Sequence, residues 1–193
     1  MAAGPDPTAC GVFLILAFVL AGFAQTAWFR WPLSMAFAAP LDGRCTVRGR
    51  RVFGENKTLR GFVVMIPAAA GAFAVLASIA GANRARFLWP LPVGDYMALG
   101  AWAGAGFMLG ELPNSFVKRQ LGISPGSSPR SRVGAVVQFA IDRLDSAVGM
   151  LAALSTVVPV PAVTWATVLF LGPPLHWGFS VLLFRLGLKA RPA

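Results

Sequence analysis

The chain has 193 residues, of which 56% are hydrophobic and 12% charged, with a mean hydropathy of +0.68. A soluble domain carries roughly 25% charged residues, so this composition excludes an ordinary water-soluble fold. The net charge of +10, from 17 basic against 7 acidic residues, does not point to nucleic acid, because no interleaved basic and aromatic stripe stands ready to hold bases. Basic loops between apolar spans account for it.

No Lys or Arg precedes Arg30. The start therefore lacks the positive region of a signal peptide, and the apolar run 10–29 is long enough to span a bilayer. Four more segments have a suitable length, at 61–81, 93–112, 136–157 and 161–184. The third contains Gly100-x-x-x-Gly104 and Gly106-x-x-x-Gly110, a spacing that lets helix backbones approach closely and places it inside a bundle. The fourth carries Asp142, Arg143 and Asp145 within an apolar run. The fifth contains Pro173-Pro174, a pair expected to break or kink it, with His176 just beyond.

Orientation follows from the loops. Seven basic residues fall between 30 and 60, four between 113 and 135 and three after 184, all on one side if five spans cross. Only Arg84 and Arg86 fall on the other. The positive-inside rule then puts the N-terminus outside and the C-terminus in the cytoplasm. The expected fold is an all-α integral membrane protein of five transmembrane helices, forming one membrane-embedded unit over 1–193. Cys10 and Cys45 fall on opposite sides and are expected to stay unpaired.

Asp6, Asp42 and Asp95 read as ordinary solvated charges. Glu55, Glu111, Asp142 and Asp145 all come near the cytoplasmic ends of spans. Asp142 and Asp145, at i and i+3, share one helix face. An ionised carboxylate inside a span costs about 2.5–3.5 kcal/mol on insertion scales. Two readings offset that cost: a divalent cation, for which hard oxygen ligands favour Mg²⁺, or an ion pair with a basic residue of another helix. Lys118 and Arg119 follow the third span beside Ser115, and Lys57 and Arg60 precede the second beside Asn56 and Thr58. They read either as topological flanks or as phosphate ligands, Arg as a fork and Lys as a point charge. His176 reads first as a hydrogen-bonded structural residue and second as a catalyst. No Walker loop, His-Glu-x-x-His or Gly-x-Ser-x-Gly is present. Phosphoryl-type transfer, which depends on positioning and charge neutralisation, fits what remains.

The segment Gly54-Glu55-Asn56-Lys57-Thr58-Leu59-Arg60-Gly61-Phe62 resembles the G-D/E-x-K-T-x-R-G-F signature of CDP-archaeol synthases. Gly110 to Arg119 is similar to their G-D-x-x-x-S-F-x-K-R segment, with Glu111 in place of the more usual Asp. Asp142-Arg143-Leu144-Asp145 resembles their D-x-x-D, and the D-R-x-D of the related phosphatidate cytidylyltransferases. His176 and Leu186-Gly187-Leu188-Lys189 also fit, so the resemblance runs from residue 54 to the C-terminus.

That resemblance implies a five-helix membrane enzyme that transfers CMP from CTP to a lipid phosphate, giving a CDP-archaeol or CDP-diacylglycerol type product and pyrophosphate, with Mg²⁺. It implies that Asp142 and Asp145 hold metal, that Lys118, Arg119, Lys57 and Arg60 bind phosphates, and that Asn56 and Ser115 orient the nucleotide. Thr58 and Glu111 belong to the same binding segments. The expected partners are CTP, a membrane lipid phosphate and the bilayer, with homo-oligomerisation left open and no nucleic acid. The expected place is the cell membrane, multi-pass, with the active site facing the cytoplasm. The alternative is a small transporter or channel for an ion or anionic solute, since buried charges also mark transport paths. A CDP-alcohol phosphotransferase ranks lower, because Asp42-Gly43-Arg44 lacks that family's continuation.

Overall fold

The computed structural model describes residues 5–125, 127 and 131–188. Arg130, Lys189 and Arg191, used above to orient the chain, lie outside the described residues. In chain order the elements are α1 (Pro7–Arg30), a 3₁₀ turn (Pro32–Phe37), strands β1 (Thr46–Val47) and β2 (Arg50–Arg51), α2 (Leu59–Ala80), the one-turn α3 (Arg84–Phe87), α4 (Val93–Gln120), α5 (Arg132–Ser155) and α6 (Ala162–Arg185). Five long helices thus stand at the five expected segments. Three stretches, Pro7–Arg30, Leu59–Phe87 and Ala162–Arg185, are long and apolar enough to cross a membrane by composition alone. Charge dilutes the apolar character of α4 and α5.

Local chemistry sets the ends. Asp6 caps α1 by accepting from Ala9 N–H at 2.7 Å, and Ser131 caps α5 by accepting from Gly134 N–H at 3.0 Å. Two expectations are corrected here. α4 does not stop near 112 but continues through Pro113 to Gln120. Asn114, Ser115, Lys118 and Arg119 therefore ride on a helix rather than a loop. α6 is not broken at Pro173-Pro174, and its helical course runs through both prolines.

The two Gly-x-x-x-Gly pairs of α4 serve different neighbours. Gly100 and Gly104 lie against α2, where an added Cβ would come 2.5 Å from Ala69 O and 2.9 Å from Met65 O. Gly106 and Gly110 lie against α5, where added Cβ atoms would collide with Ala153 Cβ and Asp145 O. Gly149 of α5 faces this second pair, its own Cβ position 2.6 Å from Gly110 Cα. Such backbone-to-backbone approach is how helices associate without a hydrophobic force between them. Towards the far end, Phe13, Phe73, Trp89 and Tyr96 pack edge-on or tilted, and Tyr96 Oη donates to Trp89 O at 2.7 Å. Cys10 is buried here and Cys45 is exposed in the hairpin, both as free thiols.

The segment before α2 folds as a small knot. β1 and β2 pair antiparallel across Arg48-Gly49, both with positive φ (52° and 75°), as a two-residue primed turn requires. Asp42, read above as solvated, is in fact buried at 7% exposure and organises the loop. Its carboxylate accepts from Arg51 Nε at 3.1 Å and Nη2 at 2.5 Å, and from the backbone N–H groups of Arg44, Phe53 and Gly54 at 3.0, 3.1 and 3.1 Å. The guanidinium, opposed by burial and helped by the three N–H groups, holds the Asp42 carboxyl well below the usual carboxylate range.

A depressed carboxyl stabilises the fold fully above its unfolded pKa, about 3.9, and loses that contribution as pH falls towards the folded value. Asp42→Asn is expected to lower the thermal midpoint at pH 7, with the difference from wild type shrinking below about pH 4. Parallel midpoints from pH 3 to 7 check this.

Candidate active site

Several signature residues of α4, α5 and the segment before α2 meet at one end of the bundle. On α4, Glu111, Asn114, Ser115 and Lys118 follow one helical face by their spacing. On α5, Gln138, Asp142, Asp145 and Ser146 do the same. Asn114 Nδ2 donates to Asp142 Oδ1 at 2.6 Å and to Asp145 Oδ2 at 2.8 Å, so one amide gathers both carboxylates. Lys118 Nζ meets Asp142 Oδ1 at 2.6 Å, as does Gln138 Nε2. Gln138 Nε2 also reaches Asn114 Oδ1 at 3.0 Å, which fixes the direction of the Asn114 amide.

Glu111 joins from the other side. Ser146 Oγ donates to Glu111 Oε1 at 2.9 Å and lies 3.2 Å from Asp145 Oδ1, bridging the two acids. Glu111 Oε2 is ion-paired with Lys57, which arrives from the segment before α2. Burial disfavours the Lys57 charge, yet Glu111 outweighs it and lifts the amine above its ordinary value. The knot around Asp42 sets the reach of Lys57, because Leu41 N–H donates to Lys57 O at 2.8 Å and Pro40 bridges to Thr58.

The hairpin also docks on the end of α4, through Arg50 Nη1 to Gln120 O and Gln120 Nε2 to Arg51 O at 3.4 Å. Gly54, at φ 92°, lies so close to Arg119 that an added Cβ would stand 3.3 Å from its Cδ. Arg119 is buried, and its Nε and Nη1 have no hydrogen-bond partner among the described residues. A buried guanidinium with two unanswered donors suits an anion.

The structure brings Asp142, Asp145, Lys118, Glu111, Ser115 and Lys57 to one end, with Arg119 beside Gly54. Asn56 is exposed and Thr58 half-buried on the approach to α2. Arg60 is not drawn into the cluster. Its Nε donates to Ser34 Oγ at 2.8 Å, its Nη2 to Phe29 O, and its guanidinium stacks 4.6 Å from the Phe29 ring centroid. Glu55 also stays apart, its side chain 84% exposed and 4.0 Å from Arg51. Arg143, the neighbour of the acids in sequence, stacks on Phe139 and donates to Phe139 O at 2.8 Å, and among the described residues no arginine is ion-paired with either aspartate.

A cavity of about 100 Å³ lies behind Ser146, lined by Gln25, Arg143, Ser146 and His176 among apolar side chains of all five long helices. Asn114, Gln138 and Ser146 were not among the site residues expected from sequence. The legible signal was a polar stripe at 138, 142, 145 and 146 on one face of an otherwise apolar helix.

A family model described as CarS-like, CDP-archaeol synthase, matches residues 12–192. The CDP-archaeol synthase of Methanospirillum hungatei is 32% identical, over 79% of this chain and 89% of that protein. That of Pyrococcus furiosus is 28% identical, over 83% and 87%. A solved structure described as an intramembrane enzyme for archaeal membrane lipids biosynthesis superposes with a TM-score of 0.58 at 23% identity, covering 85% of this chain and 90% of that one. That likeness carries the fold. The transporter reading finds no counterpart among these relatives. With several of its signature residues gathered at one end and the family match running over residues 12–192, the chain belongs to the CDP-archaeol synthase family, membrane cytidylyltransferases of lipid biosynthesis that use CTP.

Proposed function

We propose that the protein transfers CMP from CTP to an archaeal-type ether lipid phosphate, giving a CDP-archaeol type product and pyrophosphate. The carrying observation is the pair Asp142 and Asp145 drawn together by Asn114, with Lys118 and the Lys57–Glu111 pair beside it. The name shared by the curated relatives favours the ether lipid over a diacyl phosphate. We further place five helices across the cell membrane, with the N-terminus outside and the cluster at the cytoplasmic face, where CTP is supplied.

The donor set fits a hard divalent cation. Asp142 and Asp145 offer only oxygens. Among the described residues no group of three or more His, Cys, Asp or Glu side chains makes a metal cage by itself. That matches Mg²⁺, which takes one or two carboxylates and leaves room for substrate phosphates. Asp142 and Asp145 would hold such an ion, which when bound would supply charge neutralisation for the triphosphate.

The chain's own groups do the rest. Lys118 and Lys57, now held by Asp142 and Glu111, are placed to exchange these carboxylates for phosphate oxygens. Arg119 offers its unpartnered N–H groups to the departing pyrophosphate. Asn56, Thr58 and Ser115 orient the nucleotide. An oxygen of the lipid phosphate attacks the α-phosphorus of CTP in line, the α–β P–O bond breaks, and the electron pair leaves with pyrophosphate. No side-chain nucleophile is needed.

The test is purified protein with labelled CTP, Mg²⁺ and separate acceptors: an archaeol-type ether lipid phosphate, phosphatidic acid and a simple isoprenyl phosphate. Labelled CDP-lipid and pyrophosphate in equal amounts are expected from the ether lipid. Preference for phosphatidic acid would move the acceptor to diacyl lipids, and no labelled lipid from any acceptor would remove the transferase reading.

A further inference from the structure

Directly after α1 the chain carries a surface that the transfer chemistry does not use. α1 has 24 residues, about 36 Å at 1.5 Å per residue, and so outruns a hydrocarbon core of about 30 Å. On the topology proposed above, Arg30 and the 3₁₀ turn Pro32–Phe37 stand at headgroup level.

This turn is two-sided. Ser34 is fully buried against Arg60, while Trp31, Leu33 and Met35 are 59%, 53% and 62% exposed. Trp28, whose Nε1 donates to Arg60 O at 3.1 Å, packs edge-on against Trp31 and lies against Phe37, bracing the apolar face from beneath. The hairpin that follows adds Arg44, Arg48 and Arg50, all exposed, as is Arg30. The one acid from residue 30 to 54 is Asp42, which is buried and bound to Arg51. The open surface of this stretch thus combines apolar anchors and four arginines with no exposed carboxylate. Aromatic side chains beside basic ones are the composition that seats a segment in the headgroup layer.

We propose that residues 30–50 form an interfacial platform that binds the anionic headgroups of bilayer lipids and presses the hairpin against the membrane surface. The platform rests on the topology proposed above and is independent of the transfer chemistry. Because the hairpin is tied to Lys57 and to the end of α4, the surface charge of the bilayer bears on the geometry of the catalytic end. Each arginine near an anionic surface adds roughly a fivefold gain in partition, within a Debye length of about 8–10 Å.

The exposed thiol of Cys45 lies in the hairpin and Cys10 is buried, so one polarity-sensitive fluorophore on Cys45 reports on the platform. The labelled full-length protein is reconstituted in phosphatidylcholine vesicles with and without phosphatidylglycerol. The expected result is a blue shift with phosphatidylglycerol that reverses near 1 M salt, where the Debye length is about 3 Å. The Arg44→Asn/Arg48→Asn double variant is expected to need several-fold more phosphatidylglycerol for half the shift. Asn suits both positions because their φ values are positive, 69° and 52°. Equal emission in both vesicles, or a shift that survives high salt, would overturn the platform even if the double variant failed to fold. A salt-sensitive shift in protein that transfers no CMP would support the platform while removing the transferase reading.

Discussion

Asp145→Asn is expected to lower the rate of CMP transfer by about 10²–10³, the size of loss seen when one group that stabilises developing charge is removed, while leaving the protein folded. The two aspartates differ in their structural partners. Asp142 is ion-paired with Lys118, so neutralising it strands a half-buried lysine. Among the described residues Asp145 has no ion pair. Its oxygens accept from Asn114 and Ser146, bonds that an amide oxygen can partly keep. Neutralising Asp145 also relieves a half-buried charge that shares Ser146 with Glu111. The thermal midpoint of Asp145→Asn is therefore expected to equal or exceed that of wild type, as when a functional site trades stability for activity. Initial rates across a Mg²⁺ series, with the midpoint measured alongside, test both halves. Undiminished transfer with unchanged Mg²⁺ dependence would take the metal away from Asp145.

Gly149→Ala acts on the same site through the backbone. The new methyl group would collide with Gly106 O and come 2.6 Å from Gly110 Cα, so α4 and α5 must separate. Overpacking of this kind costs about 1–3 kcal/mol. The separation falls beside the contact between Gly110 and Asp145 O, and Asn114 on α4 must reach Asp142 and Asp145 on α5 across that gap. A misplacement near 1 Å costs on the order of a hundredfold in rate. Gly71→Ala is the control: no atom lies within 4 Å of its added Cβ, and alanine is the better helix former, so the midpoint is expected to hold or rise. Comparable losses in both variants would show that α4 and α5 are not spaced by their glycines.

The helices were legible because long apolar runs have few alternatives, and the glycine spacing of 93–112 correctly placed that segment inside the bundle. The sequence did not announce that α4 would continue past Pro113. Proline followed by polar and basic residues reads as a span ending, whereas here the packing against α5 carries the helix on. Asp42 looked solvated because its partners are backbone N–H groups and an arginine nine residues away, united only once the hairpin closes. Arg60 stands apart from the cluster for the converse reason. Its signature position says nothing of Ser34 and Phe29, which the turn after α1 brings within its reach. The acidic pair and the lysines were readable as types on faces, but their union through Asn114 depends on the register of α4 against α5, which glycines set at a distance from the site.

The glycine faces on the two flanks of α4 have a mechanical consequence. Backbone wedged against backbone leaves this helix no slack to slide or roll, since either motion drives peptide atoms of Gly104 or Gly110 into a neighbour. α4 therefore behaves as a keel, and Asn114 and Lys118 are bolted to it. The burden of yielding to a lipid substrate falls on α6, whose membrane-length window is only 11% buried, against 33% for α1.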